Sequence, residues 1–478
     1  MGKSFPTLSK SISRRSFLNT TLSTAVCGFG ALAAGQTILS ANEPAAQKVT
    51  YGLHHQASAK RVIFLFMHGG VSQMDTFDYK PRLVTDHGKP LPFDLPGLIR
   101  PDRLGQIFAP KSKFQQHGKC GQWVSELLPH LATQVDRMCF IKSLHTEGEA
   151  HGQAVINLHT GTAAFVRPSI GSWLAYGVGS ENKNLPSFMS LDYPTMHGGV
   201  RLYGNAFLPA HHQGTQVQML PGQEPHIKFL SDGPLTPQRQ RQQLDSIQAL
   251  NRTHLEELKE DARVSGIIES YELAYRMQGV APDVLDLSSE STETKELYGI
   301  GQGITDDFGR RCLVARRLAE SGVRFIQVAS GYHWDHHGNI EKDLPQSCAK
   351  TDKPMAGLLT DLAQRGLLED TLVVCVGEFG RTPVAQIDRG QPGRDHNPHG
   401  NTMWLAGGGV KPGFSLGQTD EFGYLAIEDK VHMHDLHATI LHMMGIDHER
   451  LTYRYAGRDF RLTDVYGRVV REILRQNS

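Results

Sequence analysis

KPMAGLLTDLAQRGLLEDTLVVCVGEFG, residues Lys353–Gly380, carries the pattern that decides the fold. Its first part predicts a helix over Met355–Arg365 with Gly366 as the stop. Thr371–Val376 is a continuous apolar run of strand length. A strand without a polar face is one buried on both sides. Charge returns immediately afterwards, at Glu378-Phe379-Gly380-Arg381. Helix, glycine stop, apolar strand and polar loop form the repeating unit of a parallel α/β sheet.

The same rhythm extends in both directions. Upstream, a helix over Asp306–Ser321 stops at Gly322 and leads into a strand over Val323–Ala329. Arg61–Met67 (RVIFLFM) reads as a central strand, and Val135–Lys142 as a weaker one. Helices are predicted over 150–160, closing at Thr160-Gly161, and over 168–178, opened by Pro168-Ser169. Downstream come a short strand at Met403–Ala406 and a helix over Asp435–Met444 ending at Gly445. Thr236-Pro237 is an N-cap and N1 pair, followed by Leu244, Ile247, Leu250, Leu255 and Leu258 at helical spacing. This marks one or two exposed helices of an insertion at about 237–278. Residues 192–232 are rich in Gly, His and Pro and show no period. The expected fold class is α/β, with a mainly parallel central sheet and helices on both faces.

In such sheets ligands sit beyond the carboxyl ends of the strands. Polar clusters follow the predicted strands four times. His68-Gly69-Gly70 leads to Asp75; His145-Thr146-Glu147 is followed by His151. His333-Trp334-Asp335-His336-His337 follows the third strand. Glu378 and Arg381, then Gly393-Arg394-Asp395-His396, follow the fourth. Asp, Glu and His without thiolate are ligands for zinc, manganese or another divalent ion, and calcium is included among the candidates. Arg381 and Arg394 are suited to bind the oxygens of a phosphate or sulfate ester bidentately.

Composition narrows the classes. With 49 Lys+Arg against 49 Asp+Glu, bulk attraction to a polyanion is excluded and no nucleic-acid partner is expected. No apolar run reaches the length of a stable membrane span. The 24 histidines are an unusual number, and imidazole is the commonest metal ligand near neutral pH. Ser13-Arg14-Arg15-Ser16-Phe17-Leu18, with the mildly apolar Thr21–Ala34 behind it, reads as a twin-arginine signal over 1–41. Residues 42–59 follow as a polar linker. Export to the periplasm or the extracellular space through the twin-arginine machinery is expected, and that route carries folded, cofactor-loaded proteins. Five cysteines remain after the signal, an odd number without a CxxC pair, so neither a disulfide framework nor a zinc–thiolate site is indicated.

Lys353–Gly380 is similar to the sulfatase and alkaline-phosphatase segment in which a helix, a glycine turn and a strand lead into an Asp-His-Gly metal site. Trp404–Lys411 and Asp435–Gly445 resemble the next strand and helix of those enzymes. More closely, HGGVSQMDTFDYKP (68–81), RPSIGSWLAYGVGSENKNLPSF (167–188), GEFGRTP (377–383) and GRDHNP (393–398) resemble the exported, sulfatase-like domain-of-unknown-function family 1501 of the alkaline-phosphatase superfamily. The resemblance covers roughly residues 50–470 and implies one alkaline-phosphatase-like domain over 60–470. In sulfatases a nucleophilic Cys or Ser stands nine residues before a Thr-Gly, and here His151 occupies that slot before Thr160-Gly161. Thr146 is a hydroxyl substitute five residues earlier. Phe379 replaces a ligating His, and Asp395-His396 would fold back to supply the missing pair.

The sequence therefore predicts a metal-dependent hydrolase of small-molecule or polysaccharide phosphate or sulfate esters. Asp75, Asp335, His337, Glu378, Asp395 and His396 would hold one or two ions. His151 or Thr146 would be the nucleophile or would assist a metal-bound water, and Arg381 would clamp the anion. Two rivals keep the fold: a non-catalytic binder of sulfated or phosphorylated polysaccharide, and a metal-stabilised envelope protein. His434 and His437, three apart on one helix face, either point at the site or serve packing and capping; His399 is equally open.

Overall fold

The computed structural model describes residues 52–95, 101–191, 196–220, 222–230, 235–257 and 261–475. The export signal at 1–41 and most of the linker at 42–59 lie outside the described residues. Among the described residues nine strands form the main sheet. In chain order they are Arg61–Phe66 (β1), Met138–His145 (β2), Phe188–Leu191 (β3), Thr215–Val217 (β4), Phe325–Ala329 (β5), Thr371–Val376 (β6), Asn401–Ala406 (β7), Phe414–Leu416 (β8) and Val431–His432 (β9). They are ordered β8-β2-β7-β6-β1-β5-β3-β4, with β9 also beside β2.

Among these described strands, only β7 runs against the rest. Its reversal has a local cause. No helix separates β6 from β7, and a parallel return would need a long crossover. The chain instead loops beyond the end of β6 and comes straight back. That loop holds both Glu378 and His396, so residues after β6 and residues before β7 share one rim.

Strand alternation divides the core into two layers. Ile63 and Leu65 of β1 face one cluster and Val62, Phe64 and Phe66 the other. The first is closed by Asp306–Glu320 (α5) and Ile340–Gln364 (α6); the second by His151–Thr160 (α1), Ile170–Val178 (α2) and Met433–Met443 (α7). Each fully buried side chain of this kind contributes about 1.5–3 kcal/mol over its exposed state. Helices on both faces of a mainly parallel sheet are the architecture expected from the sequence.

Boundaries differ where prolines mislead. The helix expected from Met355 already begins at Ile340 and runs through Pro345 and Pro354; packing of its buried face overrides two local breakers. The stretch read as an insertion forms two helices, Pro237–Glu257 (α3) and Ala262–Met277 (α4), joined by Arg241 to Glu272 at 2.9 Å. Cys120, Cys139, Cys312, Cys348 and Cys375 are free thiols. Among the described residues no helix is long and apolar enough to cross a membrane.

Candidate metal centre

Three segments meet at the carboxyl rim of the sheet. His151 opens α1, Asp335 and His337 follow β5, and His396 precedes β7. One donor atom from each lies within 4.8 Å of all the others. Nε2 of His151 and Nε2 of His337 are each 3.1 Å from Asp335 Oδ1, and His396 Nε2 is 3.3 Å from it.

The other face of each ring explains the convergence. His151 Nδ1 donates to Glu378 Oε1 at 2.7 Å, His337 Nδ1 to Gln386 Oε1 at 2.6 Å, and His396 Nδ1 to the Glu149 carbonyl at 2.5 Å. A neutral ring with its proton on Nδ1 carries its lone pair on Nε2. Three lone pairs and a carboxylate oxygen thus point at one another, which is repulsive unless a cation lies among them. A tetrahedral ion with bonds of about 2.0–2.1 Å needs its donors roughly 3.3 Å apart, close to the three separations just given. His151 Nε2 is buried without a hydrogen-bond partner. Imidazole oriented from behind by a carboxylate or carbonyl is the usual support of a metal-binding histidine. The four residues present could together hold a divalent ion.

The charges at the rim act on one another, and a metal ion would have to displace any proton that the carboxylates hold on His151. Burial pulls the His151 pKa down, but the Asp335 and Glu378 carboxylates outweigh it and raise the value above normal. Burial would raise Asp335, yet the three imidazoles and Arg381 hold it far below the usual carboxylate range. Burial pushes His396 down to about 4, so it is neutral at pH 7.

Several residues expected in the site take other roles. Glu378 is fully buried and accepts from the Gly69 amide and from His151. It orients a ligand and is absent from the converging set. Asp75 is neutralised by Arg394, whose Nε lies 2.6 Å and Nη2 3.3 Å from the carboxylate; Arg394 also donates to the Thr382 and Phe108 carbonyls. A guanidinium, not a metal, is thus the counter-cation of Asp75, and removing Arg394 would cost about 3–5 kcal/mol by stranding a buried charge. Asp395 lies 3.6 Å from His337 Nδ1, behind the ring. Arg381 is fully buried. It donates to the Gly69, Gly70, Trp334 and Arg394 carbonyls and, at 2.6 Å, to Asp335. A guanidinium so engaged positions Asp335 and does not clamp an anion. Thr146 takes a hydrogen bond from Asn157 at 3.2 Å and joins none of the four donors. His151, read as nucleophile or base, is instead one of those donors.

Other side chains at the rim had little or no sequence signal. Tyr332 donates to Asp335 Oδ2 at 2.7 Å, and Gln386 sets the His337 ring. His68, at the tip of β1, hydrogen-bonds His197. His68 could have been found from its place after an apolar strand; His197, in the stretch without period, could not. His434 and His437 do not reach the rim. Their Nε2 atoms donate to the carbonyls of Gly161 and Leu158 at 2.8 and 2.7 Å, at the C-terminal end of α1. His399 is likewise absent from the converging set.

The sequence model of the family described as "Protein of unknown function (DUF1501)" matches residues 59–474. No curated protein matches the chain. Similar solved structures include the PsFucS1 sulfatase from Pseudoalteromonas sp., 11% identical over 82% of this chain and 68% of that one, with a TM-score of 0.34. Lipoteichoic acid synthase LtaP from Listeria monocytogenes is 10% identical over 86% and 78%, with a TM-score of 0.36. A magnesium-bound variant of the alkaline phosphatase from the Antarctic bacterium TAB5 is 12% identical over 81% and 98%, with a TM-score of 0.34. Likenesses this distant carry nothing about substrate or reaction.

Proposed function

The chain belongs to the DUF1501 family of proteins of unknown function, and from that premise and the geometry of its rim we propose that it is a metal-dependent hydrolase of phosphate or sulfate esters. The observation that carries the reading is the convergence of His151, His337 and His396 Nε2 on Asp335, each ring locked from behind. The donor set suits zinc or manganese better than calcium, which prefers all-oxygen ligands. A divalent ion there would supply Lewis acidity toward an ester oxygen and would acidify water.

The chain's own groups do the rest. Glu378, Gln386 and the Glu149 carbonyl hold the rings, while Tyr332 and Arg381 hold Asp335. The side chains of Asp335, His337 and His396 are 18, 21 and 14% exposed, so the cluster opens to solvent on their side. A purely structural ion would be closed over. The positive end of α1, which begins at His151, favours a bound oxyanion. Because no serine, threonine or cysteine stands among the four converging residues, water is the nucleophile in this reading. Export forms part of the proposal, carried by Arg14-Arg15 and the apolar stretch after them.

The same missing nucleophile favours a second reading, a binder of anionic polysaccharide without turnover. Elemental analysis of the purified protein, with assays on aryl phosphate, phosphodiester and sulfate esters, separates the two. Metal with turnover, both lost in Asp335→Asn, supports the hydrolase. Metal with tight sulfate binding and no turnover supports the binder. No metal under several loading conditions removes the hydrolase.

A further inference from the structure

Met196–Leu202 is a kinked turn whose second residue, His197, has φ 61° and ψ 32°. A non-glycine residue in the left-handed region is uncommon and costs energy unless its surroundings hold it. The next two residues, Gly198 and Gly199, also have positive φ, at 147° and 54°. Three such residues in succession turn the chain sharply and deliver the His197 ring to the rim.

There the ring is held on three sides. It stacks on His151, with centroids 5.0 Å apart and planes at 22°. Tyr332 meets it edge-on at 5.1 Å. His68 Nε2 lies 3.0 Å from its Nδ1. The orientation of that last bond follows from burial. His68 is fully buried, and its Nδ1 has no partner among the described residues. An unpaired buried N–H is the costlier orphan, so the His68 proton belongs on Nε2, where it donates to His197 Nδ1. His197 then carries its own proton on Nε2. No described hydrogen bond engages that atom, and it is not among the buried ones.

We infer that His197 is an oxyanion-binding residue, whose Nε2–H donates to a non-bridging oxygen of the tetrahedral phosphate or sulfate group beside His151. The inference rests on the ester-hydrolase reading and adds to it the group that recognises the anion, a task the buried Arg381 cannot perform. Neutral imidazole suits that task because it offers a directed donor without a buried charge to desolvate.

The test is calorimetric titration of the metal-loaded full chain with inorganic phosphate and with sulfate, alongside elemental analysis. His197→Ala is expected to weaken phosphate about tenfold or more, the worth of one hydrogen bond to a charged acceptor, with metal content unchanged. His197→Gln, which keeps an N–H donor, should recover most of the loss. Gly198→Ala offers an independent check. Its Cβ would meet Leu202 Cδ2 at 2.5 Å at a φ that L-residues rarely adopt, displacing the ring without deleting it, and phosphate affinity should fall with metal retained. Unchanged phosphate affinity in His197→Ala with full metal overturns the inference and leaves the hydrolase reading standing. A wild-type chain that takes metal but neither anion overturns the inference, and the ester assays then decide the hydrolase reading separately. If the wild-type chain takes no metal, the hydrolase reading falls and the same titrations on that protein decide: phosphate binding lost in His197→Ala supports the inference, and no phosphate binding overturns it.

Discussion

At the N-terminal end of α1, His151 turns Nδ1 to Glu378 and leaves Nε2 facing Asp335, His337 and His396. At the C-terminal end of the same helix, His434 and His437 reach across from α7 and give their Nε2 protons to the carbonyls of Gly161 and Leu158. The last carbonyls of a helix have no partner within it, so these imidazoles satisfy acceptors that would otherwise be orphaned. Both regions are rich in histidine, and His151, His434 and His437 are all buried. The difference lies in which nitrogen finds a partner and what the other one faces: lone pairs and a carboxylate at one end, packed protein at the other. Histidine density alone therefore does not mark a site.

The comparison breaks most visibly if Asp335 is not the hub of the rim. Asp335→Asn is expected to reduce bound metal and ester turnover to background, as read by elemental analysis and the ester panel. Retention of metal would mean the three rings do not share an ion. Glu378→Gln is the next largest effect. It keeps the shape but weakens the orientation of His151, and loss of such outer support typically costs about 10–100-fold in metal affinity or activity; competition with a chromogenic chelator measures it.

Acid separates the two ends of α1 differently. Burial pushes His437 down to about 3 and His159 to about 4, against 6.5 in the open chain. Below pH 6.5 the unfolded chain takes up protons that the folded chain refuses. Their contribution is complete above pH 6.5 and declines as the pH drops toward 4, by about 1.4 kcal/mol per pH unit and group. Thermal melts at constant ionic strength should show this decline, with a shallower slope in His437→Leu. That variant also gives the smallest effect at neutral pH. It leaves the Leu158 carbonyl without its donor, a loss of about 1–3 kcal/mol, seen as a lower Tm. Metal content and turnover should not change, and a loss of metal at this end of the helix would erase the distinction.

The rhythm of Lys353–Gly380 was sufficient to identify the α/β fold, because helical and strand periods are local and need only neighbours a few residues apart. The same locality made the polar clusters after the strands legible, and with them His151, Asp335, His337 and His396 as candidates. Local patterns could not sort those candidates. Asp75 and Glu378 look as suitable for a metal as Asp335 does, until Arg394 and His151 come to lie beside them from distant segments.

What the sequence determined by itself is the layered architecture, the family, and the supply of imidazole and carboxylate at the strand ends. Only the tertiary structure decided which nitrogens converge. His396 reaches the rim because β7 runs backward, and His197 because a left-handed turn carries it in. Each ring presents Nε2 because an acceptor from another part of the chain holds its Nδ1. Strand direction and tautomer are set by partners far away in sequence, and no local period records them.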